Sequence, residues 1–330
     1  MRKIFRVILI VWITVLVLSV CIGRYPITLS DMLNIFMGKP QSDTVSAVFW
    51  GIRLPRVLAV AFGGGALALA GAVFQTVFSN PLVSPDVLGV TGGCSVGAVF
   101  AILFLPSFML PISSFACGAA AVLFALFLAK FVKYNKVLGM VLAGIAVGSA
   151  SSAALMFMKF FADPEKQLAS IEYWLMGSFQ NISGYQKLTV ILALGIPCCL
   201  ILYFLRFPIQ LLALGDDSAE SLGIRPNAVR LWAVSAATVL VAVVVSAAGT
   251  INWIGLVAPH IVRLMGGKDI TKSMGSCFLT GSVLLMAADL CARSLTSLEI
   301  PIGIFTSLFG AAFLAFLIFR GGLAKGGREV

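Results

Sequence analysis

Apolar runs of bilayer length constrain this chain more than any other feature. A spanning helix needs about 20 mostly apolar residues. Nine stretches approach or exceed that length: 7–22, 57–78, 87–105, 112–131, 137–161, 188–205, 231–248, 274–291 and 302–319. A tenth, 251–264, is shorter and carries Pro259. With 60% of its 330 residues hydrophobic and 11% charged, the chain has far more apolar surface than a soluble core of that size hides. The expectation is an all-α polytopic membrane protein forming one transmembrane domain over 1–330. Its start, "MRKIFRVILIVWITVLVLSVCIG", has a signal-like charge pattern, but the apolar run is long and no small-x-small cleavage site follows. It reads as an uncleaved first helix.

Charge placement decides how often the chain crosses. The formal net charge is +10, but the basic residues are scattered between apolar runs, which argues against a nucleic-acid partner and for loop charge that sets orientation. Ten crossings with the N-terminus inside place 15 of the 23 Lys and Arg residues on the cytoplasmic side and 8 outside. If 251–264 did not cross, the tally would reverse to 10 inside and 13 outside. Ten transmembrane helices with both termini cytoplasmic therefore fit the positive-inside tendency. That topology leaves extracytoplasmic loops at about 23–56 and 162–187, and a large cytoplasmic loop at about 206–230.

Several segments attract chemical readings. "SNPLVSPD" breaks any helix: Asn80-Pro81 and Ser84-Pro85 push the preceding residues out of helical geometry. The stretch is either a cytoplasmic turn or an element of a polar path. In "LLALGDDSAESLGIRPNAVR", a short helix with acid in its first turn, closed by Gly223 and stopped by Pro226, is either a handle for a partner or an ordinary solvated loop. "GCSVG" at 93–97 matches a nucleophile elbow, but no strand precedes it and the sole histidine, His260, lies in the other half of the chain. It reads as helix-packing glycines. Rows of small residues, Gly64-Ala68-Ala72 and Gly144-Gly148-Ser152, predict close helix approach.

Catalytic and coupling groups are sparse. No P-loop or H-E-x-x-H motif occurs, so ATP hydrolysis would need a separate protein. The seven cysteines form no C-x-x-C pair, which argues against a zinc site, and no resident metal or cofactor is expected. Asp289 and Arg293, four apart, read as a local ion pair, and His260 as the holder of a structural hydrogen bond. A proton-driven carrier would ordinarily carry more buried acid. Arg53 and Arg56 flank Pro55, a residue suited to a helix's first turn, and so put two cations where the helix dipole disfavours them. They either snorkel to lipid head groups or answer a functional demand.

Five stretches, "RLPRVLAVAFGGGALALAGAVFQTVFSNPLVSPDVLGVTGGCSVGA", "YWLMGSF", "LALGDDSAESLGI", "GTINWIGLVAPHIVRLMGGKD" and "ADLCARSLTSLEIPIGIFTSLFGAAFLAFLI", resemble the marker segments of the FecCD-type permease family. Its members are membrane subunits of type II ABC importers for ferric siderophores, haem or cobalamin. The resemblance covers essentially the whole chain in the family's order. It implies ten crossings, a second permease subunit (a copy or a paralogue), two separate ATPases below and an extracytoplasmic binding protein above. By the same resemblance Gly215, Asp216, Ser218, Ala219, Leu222 and Gly223 sit in the ATPase cleft. Arg53, Arg56 and Arg293 face carboxylates of the binding protein, and Glu299 and Pro301 shape that rim. Gln75, Asn80, Pro81, Pro85 and Gly89 are expected to border the pathway and set an inner gate. Ferric siderophore is the default cargo. The competing readings are an ion-coupled secondary carrier and an intramembrane hydrolase.

Overall fold

The computed structural model describes residues 2–23, 25–38, 42–132, 136–267 and 269–326. Among them every regular element is helical. In chain order these are α1 (Arg2–Cys21), α2 (Leu29–Phe36), α3 (Asp43–Val48), α4 (Leu54–Val77), α5 (Val90–Phe104), α6 (Leu110–Ala129) and α7 (Lys136–Phe161). There follow α8 (Gln167–Leu175), α9 (Gln186–Phe204), α10 (Arg206–Leu212), α11 (Asp216–Ser221), α12 (Pro226–Ala248), α13 (Ile254–Leu264), α14 (Ile270–Ser294) and α15 (Ile302–Gly326). Among the described residues, eight helices are long and apolar enough to cross a membrane: α1, the α3–α4 unit, α6, α7, α9, α12, α14 and α15. Shorter apolar helices, α5 and α13, bring the number of apolar helices to ten, in line with the sequence.

The segment 23–56 is more helical than a loop. Thr28 and Asp31 form a reciprocal capping box that starts α2; residues 24 and 39–41 lie outside the described residues. A π-helical turn, Phe49–Arg53, then joins α3 to α4. Its cause is local: the Leu54 amide reaches back to the Phe49 carbonyl, and Pro55 has no amide to offer the next one. The helix therefore runs without interruption from Asp43 to Val77. This corrects the expectation that Arg53 and Arg56 sit at a free helix N-terminus.

α4 is the buried axis of the bundle, packed against α14, α13, α12 and α9. Small residues make that possible. A Cβ added at Gly64 would run into the Gly281 carbonyl of α14 and reach 2.7 Å from Leu285 Cβ, so the α4 and α14 backbones touch. Gly71 meets the Gly255 backbone of α13 in the same way. α1, α6, α7, α9 and α15 keep most of their surface outward.

α13 has only 11 residues, about 16 Å of helix. It is preceded by a non-helical arm, residues 249–253, which turns tightly at Trp253 where Ile254 N donates to Asn252 O at 2.9 Å. The arm starts beside the end of α8, where Ser178 N donates to Ala248 O at 2.7 Å. It ends at Trp253, whose indole fills the space a side chain at Gly310 of α15 would need. Gly310 lies seven residues into α15 from Gly303, about 10 Å deeper. Trp253 itself adopts φ 72°, a left-handed conformation costly for a bulky residue.

Candidate functional site

The two ends of the bundle carry different constellations. At the end marked by α8, five charged side chains converge. Arg56 on α4 donates from Nε (3.1 Å) and Nη2 (2.6 Å) to Asp289 Oδ1 on α14. Its Nη1 and Nη2 also grip Glu299, with Nη1 3.0 Å from Oε2. Arg293 closes the other side, its Nε 3.1 Å from Asp289 Oδ2, while its Nη2 donates to the Ser19 carbonyl of α1. Arg53 donates to the carbonyls of Ile22 and, at 2.9 Å, Tyr25. Asp289 is 1% exposed, and Arg53, Arg56 and Arg293 are 6%, 7% and 5% exposed.

These placements show what surrounds the three arginines within the chain itself. Each guanidinium is buried within the single chain and already engaged. The ion pair expected from the i,i+4 spacing is present, but it belongs to a larger network that ties α1, α4 and α14 to the 295–301 turn. Two carboxylates face three arginines, so the cluster keeps a surplus of one positive charge. Sequence spacing could not reveal that Arg56 pairs with carboxylates 233 and 243 residues away.

The rim beside this cluster is held by backbone. Ile302 N and Gly303 N donate to the carbonyls of Gly177 (2.9 Å) and Met176 (3.1 Å), fixing the start of α15 to the segment after α8. Thr250 Oγ1 donates to Leu175 O from the arm. Gly177 and Gly249 both have positive φ, and a Cβ on either would collide with a facing carbonyl. The marker "YWLMGSF" thus makes a junction for α8, α12 and α15, a role its sequence does not announce.

At the opposite end, α11 projects as a short capped helix. Gly215 (φ 96°) and Gly223 (φ 84°) bracket it, both in backbone regions that favour glycine. Asp216 pairs with Arg230 of α12, Oδ1 to Nη2 2.6 Å and Oδ2 to Nη1 3.3 Å. Arg230 is 2% exposed, so α11 is clamped to the buried base of α12. Gly215, Ser218, Leu222 and Gly223 are on the surface. Ala219, in contrast, is fully buried and seats α11 against the bundle, and Asp216 is committed to Arg230. Leu214 and Leu222, 61% and 60% exposed, stand as apolar knobs on either side of α11. Pro226 does more than stop α11: it opens α12.

The helix-breaking stretch folds as an ordered turn at this same end. Ser79 has φ 49°, Asn80 Oδ1 accepts from Leu82 N at 2.9 Å, and Ser84 caps a 3₁₀ turn, Pro85–Leu88. Gly89 (φ 74°) then opens α5 against Gly148 of α7. Pro85 packs over Gly255 of α13, and Val87 O lies against Gly144 of α7. Gln75 is buried rather than lining an open path: its Oε1 accepts from Arg263 Nη2 at 2.6 Å, and its Nε2 is 3.4 Å from Gly255 O. Gln75, Pro85 and α13 therefore form one contact unit, with Pro81 exposed at its tip. "GCSVG" lies inside α5 with Ser95 buried, so no nucleophile is presented. His260 makes an edge-on contact with Phe313 at 5.7 Å, and no hydrogen bond reaches its Nδ1 among the described residues, which corrects the expected structural bond.

Residues 9–320 match the FecCD transport family. The chain belongs to it. Curated relatives include a protein of Helicobacter pylori strain 26695, described as a probable iron chelatin transport system permease, 37% identical over 88% of each chain. The molybdate import permease MolB of Haemophilus influenzae is 34% identical over 94% of this chain and 93% of its own. The vitamin B12 import permease BtuC of Escherichia coli O157:H7 is 36% identical over 93% and 92%. A solved metal-chelate-type ABC transporter in an inward-facing conformation superposes with a TM-score of 0.87 at 33% identity, covering 97% of this chain and all of that one. The architecture is that of a type II ABC importer permease.

Proposed function

We propose that this FecCD protein is the translocation subunit of an ATP-driven importer for a metal chelate, with ferric siderophore the favoured cargo. The relatives named above carry iron chelatin, molybdate and vitamin B12 by their descriptions, so the shared theme is a complexed metal or metal oxyanion. Two such subunits, identical or paralogous, enclose the path in the cell membrane. Two separate ATPases supply the chemistry, and an extracytoplasmic binding protein delivers the cargo. Both termini and α11 face the cytoplasm.

The observation that carries this reading is the α11 clamp. A projecting helix with two exposed leucines is a knob for a partner's cleft. The ion pair between its Asp216 and the buried Arg230 ties it to α12, so displacement of α11 moves a spanning helix rather than a loose loop. An ATPase that closes on ATP thus biases the permease between two arrangements, and the chain supplies contacts, not catalysis. Docking of the binding protein at the α8 end is supported by the surplus positive charge there, which favours an acidic partner surface. The test is ATP hydrolysis by the reconstituted complex. Arg230→Met should leave ATPase binding intact while cutting cargo-dependent stimulation at least several-fold. Full stimulation in that variant, with Asp216 freed, contradicts the clamp.

A further inference from the structure

We infer that the non-helical arm 249–253 lines the aqueous path, and that the Asn252 carboxamide is a polar contact for cargo passing it. The inference rests on the permease reading above. Depth comes first. Thr250 is level with the rim, bonded to Leu175 O, and Trp253 is level with Gly310, roughly 10 Å further in. Asn252 lies between these levels, inside the span of α15.

Satisfaction comes second. Among the described residues, no hydrogen bond reaches the amides of residues 250–253, and none involves the Asn252 side chain. Asn252 is nevertheless exposed on the single chain, while Gly249 and Ile251 beside it are buried. Hydrocarbon tolerates neither free backbone donors nor a free carboxamide, and non-helical backbone survives at membrane depth only against protein or water. Lipid is therefore the one neighbour this face of the arm cannot have. Water is favoured over a second protein surface because Asn252 offers both donors and an acceptor with no fixed partner.

The segment is also held in shape rather than loose. Its upper end is fixed by the Gly177–Gly249 junction, and its lower end by the Trp253 indole on Gly310. A polar edge held open in this way suits a solute rich in oxygen acceptors, the chemistry that metal chelates and oxyanions share. The carboxamide and the neighbouring amides can replace part of that solute's hydration without adding a charge that would trap it.

The experiment is thiol accessibility in the assembled importer. Asn252→Cys is reconstituted in nanodiscs with its ATPase and treated with a charged, membrane-impermeant methanethiosulfonate; the label is located by peptide mass. Ile10→Cys, on the exposed apolar face of α1, is the lipid-facing control. The expected result is labelling at 252 at least tenfold faster than at 10, slowed when ferric siderophore and binding protein are present at saturation. Asn252→Leu should raise the cargo concentration for half-maximal uptake. No labelling at 252, or labelling no faster than at 10, overturns the proposal by placing the arm against lipid or packed protein. ATP-driven uptake by the unmodified complex is measured in parallel. Its failure would count against the permease reading, whereas thiol accessibility is read without transport.

Discussion

Asp289 offers the sharpest test of what holds the bundle together. It is 1% exposed and takes hydrogen bonds or ion pairs from two arginines, Arg56 at 2.6 and 3.1 Å and Arg293 at 3.1 Å. Removing it strands Arg56 and Arg293 side by side with one rim carboxylate left, and like charges then repel where solvent cannot screen them. Breaking a buried pair from one side costs about 3–5 kcal/mol, because the remaining charge keeps its desolvation penalty. Asp289→Ala should lose about that much. Glu299→Gln keeps a hydrogen-bonding group and should lose less, on the order of 1–3 kcal/mol. Replacing the network together, Asp289→Leu with Arg56→Met and Arg293→Met, removes the stranded charges and should recover most of the loss. The assay is equilibrium unfolding in mixed micelles on titration with dodecyl sulfate. A loss below about 1 kcal/mol for Asp289→Ala, or a triple variant weaker than the single one, would refute the reasoning.

Further outcomes follow from local geometry. Gly71→Ala pushes a Cβ into the Gly255 backbone and should destabilise the fold by about 1–3 kcal/mol, more than Ala70→Ser one residue earlier; the same micelle titration reads the difference. The hydroxyl of Thr271 donates to Asp269 at the start of α14, holding that carboxyl below its usual range. A depressed value stabilises the fold above the unfolded pKa of about 3.9 and is lost as pH falls through the lower folded value. Asp269→Asn should therefore weaken the fold near neutral pH and flatten its pH dependence below about pH 4, as followed by thermal melts across pH. Trp253→Ala empties the space over Gly310 and should lower cargo uptake more than it lowers ATP hydrolysis, measured side by side in proteoliposomes.

Much of this architecture can be read from residue order alone. Apolar run length and loop charge give ten crossings because both are one-dimensional properties of the chain. The small-residue row at Gly64 and Ala68 likewise announces the close α4–α14 contact, since its spacing is that of one helix face. α11 is legible for a similar reason: acid in the first turn and Gly223 after the last are local signals. The site is less legible where partners are distant in sequence. Arg56 meets Asp289 and Glu299 only through the packing of α4 on α14, and Arg230 reaches Asp216 only after the chain has turned at Gly223 and Pro226. The short tenth run is ambiguous because hydropathy cannot distinguish a truncated helix from a short helix preceded by a non-helical arm. The π turn before Pro55 misled for a related reason: proline marks a first turn in isolation, but here the preceding helix shifts register and continues.

The most direct test of the central claim is uptake into proteoliposomes that hold this chain as a permease pair with its ATPase, with binding protein and radiolabelled ferric siderophore outside. The account predicts accumulation that requires ATP and the binding protein and is indifferent to proton or sodium gradients. Uptake driven by an ion gradient in vesicles lacking the ATPase would contradict it.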